Sequence, residues 1–487
     1  MEKNENMVAV VKTDAYKYPA KEALAVPKSR FPEYPFDWQE DCQHSNPHYG
    51  MVREAFYLLG MDKENFGTKE WNPLGDIINP GNTVLIKPNL VHHKNPAGST
   101  ECMYTQASVV APVIDYVCIA LKGIGKIVIG DAPVQECDFD ILCEESGYKQ
   151  LVDEYKRRNV DIELLDFRGI KTTVEKGVRK TYVREGVSGK VIDLQGESEF
   201  ANQPDEKVKR LRITNYDPRI LAEHHTTGKH EYCISDYVLS ADVIINMPKP
   251  KSHRKAGATI SLKNFVGCNV RKEYLPHHTM GSKNNGGDEY LNSNAIHAFR
   301  SMLIDQKNKT RQNFRSNFYK FVIKACSVAL GVMGNRYSEG SWYGNETISK
   351  TVLDINKIIL YADKAGNMTD KQQRKVLIVA DMILSGEGEG PLMPTSKDVG
   401  IIAAGYDMVH FDIGISRIMG FDFKKIPTIQ EAAKYRGRYP LTENMSETCI
   451  FVSNDSQVNG KRLEQISRES SLKFQASDGW IDNIELL

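Results

Sequence analysis

The sequence predicts an α/β fold: a mostly parallel sheet with flanking helices, in two lobes, plus a small antiparallel β insertion. The first observation is the order strand, helix, strand in "NTVLIKPNLV" (82–91), "ASVVAPVIDYVCIALKGIG" (107–125) and "KIVIGDAP" (126–133). Such a unit implies parallel strands, because parallel neighbours need a crossover helix. The second observation is a change in the residue pattern over 168–235. There, short β patterns alternate with glycines and charged residues, which is typical of antiparallel hairpins.

We expect five parts along the chain. Residues 1–75 form an arm that wraps the body, because aromatics such as Tyr34, Phe36 and Trp38 favour docking; the alternative is a partly disordered leader. Residues 76–167 form the first α/β lobe, 168–235 the β-rich insertion, 236–435 the second α/β part that completes a cleft, and 436–487 a tail. Within the second part, the patterns predict strands at 243–247 and 373–384, helices at 294–333 and 345–364, and a strand, turn and helix over 399–422.

Composition excludes several classes of function. The 487 residues carry 63 Lys and Arg against 63 Asp and Glu, so general nucleic-acid binding is not expected. Neutrality also argues against binding an anionic membrane by bulk charge. No apolar run is long enough for membrane insertion, and no secretory signal begins the chain, so we expect a cytoplasmic protein. The nine cysteines form no CxxC pair, so no iron–sulfur cluster is expected. A homo-oligomer is compatible with the sequence.

Four predicted strands end in polar, rigid sequence. Ligands bind outside the carboxyl ends of strands in open α/β sheets, so we expect these ends to converge in one cleft. The alternative is a set of separate, solvated charges. The residues at the four ends are Lys87, Asn89, Asp131, Lys249, Lys251 and Asp381.

Prolines follow Lys87 and Lys249, and they fix the direction of each lysine. A fixed ammonium binds phosphate or carboxylate, and a desolvated one acts as a base. The predicted catalytic residues are Lys87, Asp131, His253 and Lys263. The predicted substrate-binding residues are Asn89, Lys249, Lys251, Asn264, Arg271, His277 and Trp342.

Several of these roles have alternatives. His253 is an acid or base, a metal ligand, or a hydrogen-bonded structural histidine. Trp342 stacks on a sugar or base, or anchors its loop. The segment "GATISLKNFVG" (257–267) is a strand or a short buried helix. Arg254 and Lys255 are expected to face solvent.

Four carboxylates form a candidate site for a divalent metal such as Mg²⁺ or Mn²⁺. Two lie in "ADMILSGEGEGPLMP", which we interpret as a strand followed by a tight loop, and two lie in "YDMVHFD". One alternative is that Asp407 caps the start of a helix rather than binding metal. A second alternative is that the lysine-rich, acid-lined cleft binds an anionic metabolite without any metal. The predicted ligands are Asp381, Glu389, Asp407 and Asp412.

The quoted segments together resemble the DUF362 family, a bacterial and archaeal family without an assigned function. The resemblance covers about residues 82–435 and includes "VLIKPNLV", "IVIGDAP" and "INMPKPKSH". Many members carry a ferredoxin-like cysteine segment, which this chain lacks. The long form is similar to proteins encoded among bacterial surface-polysaccharide genes, which implies sugar-linked chemistry. The family is also distantly similar to lactate-racemase-like proteins, in which Lys87 and His253 would take the cofactor-holding parts.

The expected function is therefore an enzyme that acts on a small anionic metabolite, such as a sugar phosphate or a nucleotide-activated sugar. The reaction class stays open among racemase or isomerase, lyase and transferase. The alternative is a non-catalytic protein that senses a ligand or binds a partner.

Overall fold

The computed structural model describes residues 5–38, 45–175, 178–310, 314–334 and 337–487. The strands in these ranges are β1 (Met7–Lys12), β2 (Thr83–Pro88), β3 (Lys126–Asp131), β4 (Ile162–Asp166), β5 (Ile170–Glu175), β6 (Val178–Val183), β7 (Gly189–Asp193), β8 (Leu211–Arg212), β9 (His225–Thr226), β10 (Lys229–Ser235), β11 (Val243–Met247), β12 (Lys251–His253), β13 (Gly257–Thr259), β14 (His278–Thr279), β15 (Lys375–Glu389), β16 (Met393–Gly405) and β17 (Ile450–Ser453).

The α-helices in the same ranges are α1 (His48–Leu58), α2 (Ala107–Leu121), α3 (Phe139–Glu145), α4 (Tyr148–Arg157), α5 (Asp205–Val208), α6 (Pro218–His224), α7 (Asp236–Ser240), α8 (Ser261–Asn264), α9 (Ala295–Lys309), α10 (Phe314–Val332), α11 (Thr347–Tyr361), α12 (Met408–Met419) and α13 (Pro427–Lys434). None of the helices in the described ranges has both the length and the apolar composition needed to cross a bilayer.

A ten-stranded sheet forms the centre of the protein. Eight strands follow the order β17-β1-β16-β15-β11-β2-β3-β4, and β12 and β13 pair beside β15. The run from β15 to β4 is parallel, whereas β16 pairs with β15 and β1 in antiparallel orientation. The expected α/β class is therefore confirmed, with a mostly parallel central sheet and small antiparallel sheets.

Helices cover both faces of this sheet. In β2, Val84 and Ile86 contribute to the core on one face, together with α2, while Leu85 contributes to the opposite core, together with α11 and α12. Strands buried on both faces are apolar in almost every position, unlike half-buried antiparallel strands. This explains why the runs in β2, β3 and β11 show no polar alternation.

Strands from both predicted lobes pair within the one sheet, since β2 and β11 are neighbours in parallel register. The predicted arm supplies β1 and the predicted tail supplies β17, and these two strands also pair with each other. The insertion contains the β5–β6 hairpin and a small antiparallel sheet of β7, β10 and β9; residues 176–177 lie outside the described residues.

Two local expectations change in the structure. The predicted tight loop after Leu384 is wrong, because β15 continues to Glu389 in antiparallel register with β16, pairing Glu389 with Met393. The cross-strand hydrogen bonds outweigh the glycines there, which sequence alone marks as a turn. The segment 257–267 contains both predicted alternatives, a short strand (β13) followed by a short helix (α8).

Candidate functional site

A buried ion pair joins the ends of β2 and β3. The Lys87 Nζ lies 2.8 Å from the Asp131 Oδ1, and both side chains are almost completely buried. Lys87 also donates to the Pro88 carbonyl, and Asp131 accepts from the backbone N–H groups of Leu90 and Ala132. Both predicted catalytic side chains are therefore already engaged in an ion pair and hydrogen bonds within the protein.

A second buried pair joins the segment after β11 to β15. The Lys249 Nζ lies 2.9 Å from the Asp381 Oδ2, and neither side chain is exposed. Tyr18 from the N-terminal part completes the group, because its hydroxyl donates to the Asp381 Oδ1 at 2.8 Å and accepts from Lys249. Burial lowers the pKa of Lys249, an effect that Asp381 opposes.

A network of amides connects the strand ends. The Lys251 ammonium donates to the Asn89 Oδ1 and to the Met103 carbonyl. Asn89 donates to the Asn264 Oδ1 at 3.0 Å, and Asn264 in turn donates to the Asn246 Oδ1 at 2.8 Å. Burial is the main cause that lowers the pKa of Lys251 to about 7, and the neighbouring Lys249 adds to it. The network fixes the strand ends relative to one another.

A group of cationic and imidazole side chains lies beside these pairs. We call it the lysine–histidine cluster, and its members are Lys255, Lys263, Lys272, His253 and His277. Their charges act on each other: Lys263 lowers the pKa values of both histidines and of Lys272, and Lys255 lowers that of His277. The members therefore lie within electrostatic reach of one another.

The charges of Glu339, Asp288 and Glu289 raise the pKa of Lys255, but no lysine of the cluster forms an ion pair among the described residues. Among the described residues, the ammonium groups of Lys263 and Lys272 have no hydrogen-bond or ion-pair partner, while Lys255 donates to the neutral Thr214 Oγ1 at 2.9 Å. Burial lowers the pKa of Lys255 to about 8, of Lys263 to about 8 and of Lys272 to about 7. The repulsion between Lys263 and Lys255 contributes to the value for Lys263.

The two carboxylates that act most directly on Lys263 and Lys272 are already engaged. Asp131 raises the pKa values of Lys263 and Lys272 but is bonded to Lys87. Asp166 also acts on Lys272, but it forms ion pairs with Arg168 at 2.6 Å and Arg184 at 3.0 Å. The cluster therefore carries excess positive charge, which an anion would compensate.

The two histidines of the cluster carry their ring proton on different nitrogens, Nε2 in His253 and Nδ1 in His277. The His253 Nδ1 accepts from the backbone N–H groups of Lys255 and Ala256, each at 3.1 Å, so its Nε2 carries the proton. The His277 Nδ1 lies 2.8 Å from the Leu275 carbonyl and must donate to it, so its Nε2 has a free lone pair. Burial and the nearby lysines hold both pKa values well below 6.5, and both rings are neutral at pH 7.

Terminal segments cover the predicted cleft. Ser252 donates to the Gln475 carbonyl at 2.6 Å, and Trp480 donates to the Arg254 carbonyl at 2.8 Å. Together with Tyr18, these contacts enclose the strand ends, so that Lys87, Lys249 and Lys251 are fully buried. A surface cavity of about 440 Å³ lies elsewhere, between Phe139, Asp166 and Arg184.

The four predicted metal ligands lie in separate environments. Asp381 bonds to Lys249 and Tyr18, and Asp412 accepts from Ser261 and Leu262 at the start of α8. Asp407 accepts from the His410 N–H as the N-cap of α12, and Glu389 accepts from the Asp478 N–H. No group of three or more His, Cys, Asp or Glu within the described ranges is arranged to hold a metal ion. The magnesium or manganese site stays a prediction.

Two other predicted substrate-binding residues have protein contacts. The Arg271 guanidinium pairs with Glu273 at 2.7 Å. Trp342 is buried and donates to the Asp288 carbonyl at 2.9 Å, so its ring contributes to the packing of its loop.

Sequence reasoning missed several residues of this region. Lys255 is buried rather than solvent-facing, because its segment folds under the C-terminal tail. Asn246 was detectable as an amide inside the apolar run of β11. Tyr18 and Lys272 gave no signal, because both lie in charged segments that reach the site only through tertiary structure. Gly267 allows close approach: a Cβ there would lie 1.8 Å from the Asp131 Oδ1.

The fold and this geometry define a class of protein: an α/β protein whose strand ends carry buried ion pairs beside an uncompensated group of lysines. The chain belongs to the family described as Domain of unknown function (DUF362), whose model matches residues 84–189 and 201–416. It is similar to the Thylakoid-associated protein sll1697 of Synechocystis sp., with 22% identity over 356 residues, 73% of this chain and 68% of the relative. No solved structure matches.

Proposed function

We propose that the protein is an enzyme that binds a small anionic metabolite at the lysine–histidine cluster. The observation that carries this proposal is the pair of uncompensated ammonium groups, Lys263 and Lys272, for which the described residues supply no partner. Both side chains are partly exposed, so that an anion can reach them, but partial burial of an unpaired charge is still costly. A bound phosphate or carboxylate would offset that cost with charge-assisted hydrogen bonds.

The two neutral imidazoles supply the proposed acid–base chemistry. The His253 Nε2–H is a donor, and the His277 Nε2 is an acceptor. A proton donor and a proton acceptor within reach of a bound anion are the groups that isomerases, racemases and lyases use. Lys263 and Lys272, with pKa values of about 8 and 7, exchange protons near neutral pH and are further candidates for the base.

The proposed substrate class is a sugar phosphate or a nucleotide-activated sugar, used in surface-polysaccharide synthesis. The likeness of the long form to proteins encoded among polysaccharide genes supports this choice, and a phosphate group fits the excess positive charge. The cytoplasm is the proposed compartment, because activated sugars and reduced thiols occur there together.

The test compares anion binding by the wild type and by Lys263→Met, which keeps most of the length of the side chain and removes its charge. Inorganic phosphate is titrated by calorimetry, and the same variant is assayed against a panel of sugar phosphates and nucleotide sugars. Losing one charge-assisted contact should weaken phosphate binding by about tenfold or more. Lys69→Met is the matched control, because the Lys69 side chain is 82% exposed.

Equal phosphate affinity in both Lys263→Met and wild type would contradict the proposed site. Tight binding of a metabolite without turnover would instead favour the non-catalytic sensor. His277→Gln separates these cases further: it should abolish turnover of a bound substrate while changing phosphate affinity little, since the His277 ring is neutral at pH 7.

A further inference from the structure

A helical hairpin on the surface exposes an apolar stripe. Helix α10 packs on α9, and α9 packs on the body of the protein near α6. The face of α10 that contains Leu330 is its most buried side. Among the described elements, α9 is the one that packs extensively against α10, and several apolar residues lie on the exposed side of α10.

The stripe has helical spacing. Phe318, Phe321, Val328 and Val332 are separated by three, seven and four positions and therefore share one face of α10. Their exposed fractions are 60%, 74%, 61% and 86%. Phe299 and Met302 on the neighbouring helix α9 are also exposed, at 45% and 50%. Contiguous exposed apolar surface of this kind marks an interaction site.

The hairpin is also strongly basic, although the whole chain is neutral. Between Gln306 and Ser338 the sequence has four lysines and three arginines and no Asp or Glu. Within the described part of the hairpin, the acidic residue Asp305 is paired with Arg212 of the body at 3.0 Å. Asp217 of the body lies within electrostatic reach of Lys309, whereas Lys320 and Lys324 on α10 form no ion pair among the described residues.

The positive charge of the hairpin distinguishes between the possible binding partners of its apolar stripe. A second copy of the chain would bring two positive hairpins together, which opposes self-association. An anionic lipid surface attracts the cations, and it accepts exposed phenylalanines at the boundary between headgroups and acyl chains. We propose that the α9–α10 hairpin docks the protein peripherally on anionic membranes, with Phe318 and Phe321 inserted and Lys320 and Lys324 over the headgroups.

The test is co-sedimentation of the full chain with vesicles. One set contains phosphatidylcholine alone, and the other contains equal parts of phosphatidylcholine and phosphatidylglycerol. The proposal expects binding to the anionic vesicles, weakening as salt is added, and little binding to the neutral ones. The Lys320→Glu/Lys324→Glu variant should bind at least about tenfold more weakly, since each basic residue near the surface contributes about fivefold.

Two variants at exposed apolar residues distinguish insertion of the hairpin from nonspecific hydrophobic adsorption to the vesicles. Phe318→Ser/Phe321→Ser should lose vesicle binding, while Ile124→Ser should keep it, because Ile124 is 63% exposed but lies outside the hairpin. Circular dichroism checks that all variants stay folded.

Three results would overturn the proposal. They are equal binding to both vesicle types, unchanged binding by either hairpin variant, and a wild-type dimer that ignores vesicles and dissociates in Phe318→Ser/Phe321→Ser. The last result would identify a second copy as the occupant. Phosphate binding at the lysine–histidine cluster is measured separately, so either proposal can fail alone.

Discussion

Replacing Lys263 by methionine should stabilise the protein in the absence of an anion. The pKa of this ammonium is lowered from 10.5 to about 8, chiefly by burial. One pKa unit corresponds to about 1.4 kcal/mol, so holding the proton on the folded protein costs up to about 3 kcal/mol below pH 8. The side chain is partly exposed, and we therefore expect a gain of about 1–3 kcal/mol.

The gain should depend on pH in one direction. The folded-state pKa lies below the unfolded-state value, so between about pH 8 and 10.5 the unfolded chain binds more protons and wild-type stability rises with pH. The penalty is fully present below about pH 8 and is absent above about 10.5. The advantage of Lys263→Met should consequently shrink across this window and then vanish.

Urea unfolding at several pH values measures this difference. Tryptophan fluorescence is a suitable signal, because Trp71, Trp342 and Trp480 are fully buried. Lys69→Met, at an exposed position, should show no pH-dependent difference from wild type. The reasoning would be refuted if Lys263→Met were less stable than wild type at pH 7, or if its difference in unfolding free energy from wild type were the same at every pH. Either result would show that the ammonium has a stabilising partner.

Three further predictions follow from the same region. Asp381→Ala leaves a fully buried ammonium without its carboxylate and should cost about 3–5 kcal/mol of unfolding free energy, whereas Asp370→Ala, in an exposed pair, should cause no measurable change; similar losses would contradict the buried pair. Gly267→Ala should cost about 1–3 kcal/mol, because the added Cβ would lie 1.8 Å from the oxygen of a carboxylate held by two backbone N–H groups; a wild-type melting temperature would argue against that close contact. Sulfate, whose charge is constant, should bind more weakly above about pH 8 as Lys263 loses its proton, and calorimetry showing affinity independent of pH would exclude the lysines as its ligands.

The sequence was sufficient for the parallel β-α-β unit and for the α/β class. The pattern around 82–133 identifies a β-α-β unit because burial on both faces demands continuous apolar runs. The end of β15 was not predictable, since the glycines near Glu389 indicate a turn locally and only pairing with β16 extends the strand.

The convergence of Lys87 with Asp131, and of Lys249 with Asp381, was expected from strand direction alone. Parallel strands end at one edge of a sheet, and the register that pairs Asn246 with Lys87 brings those ends together. The ion pairs and hydrogen bonds that these residues form were not predictable, because they depend on neighbours that are distant in sequence. Asp412, for example, accepts from Ser261, 151 positions away along the chain.

The sequence by itself determined the fold class, the family and the concentration of charge at the strand ends, because periodicity and strand direction are local properties. Only the tertiary structure decided which charges are compensated. Lys87, Lys249 and Lys251 find partners within the described chain, whereas Lys263 and Lys272 do not. Compensation depends on which carboxylates and carbonyls lie within a few ångströms, and the enclosing contacts come from both ends of the chain.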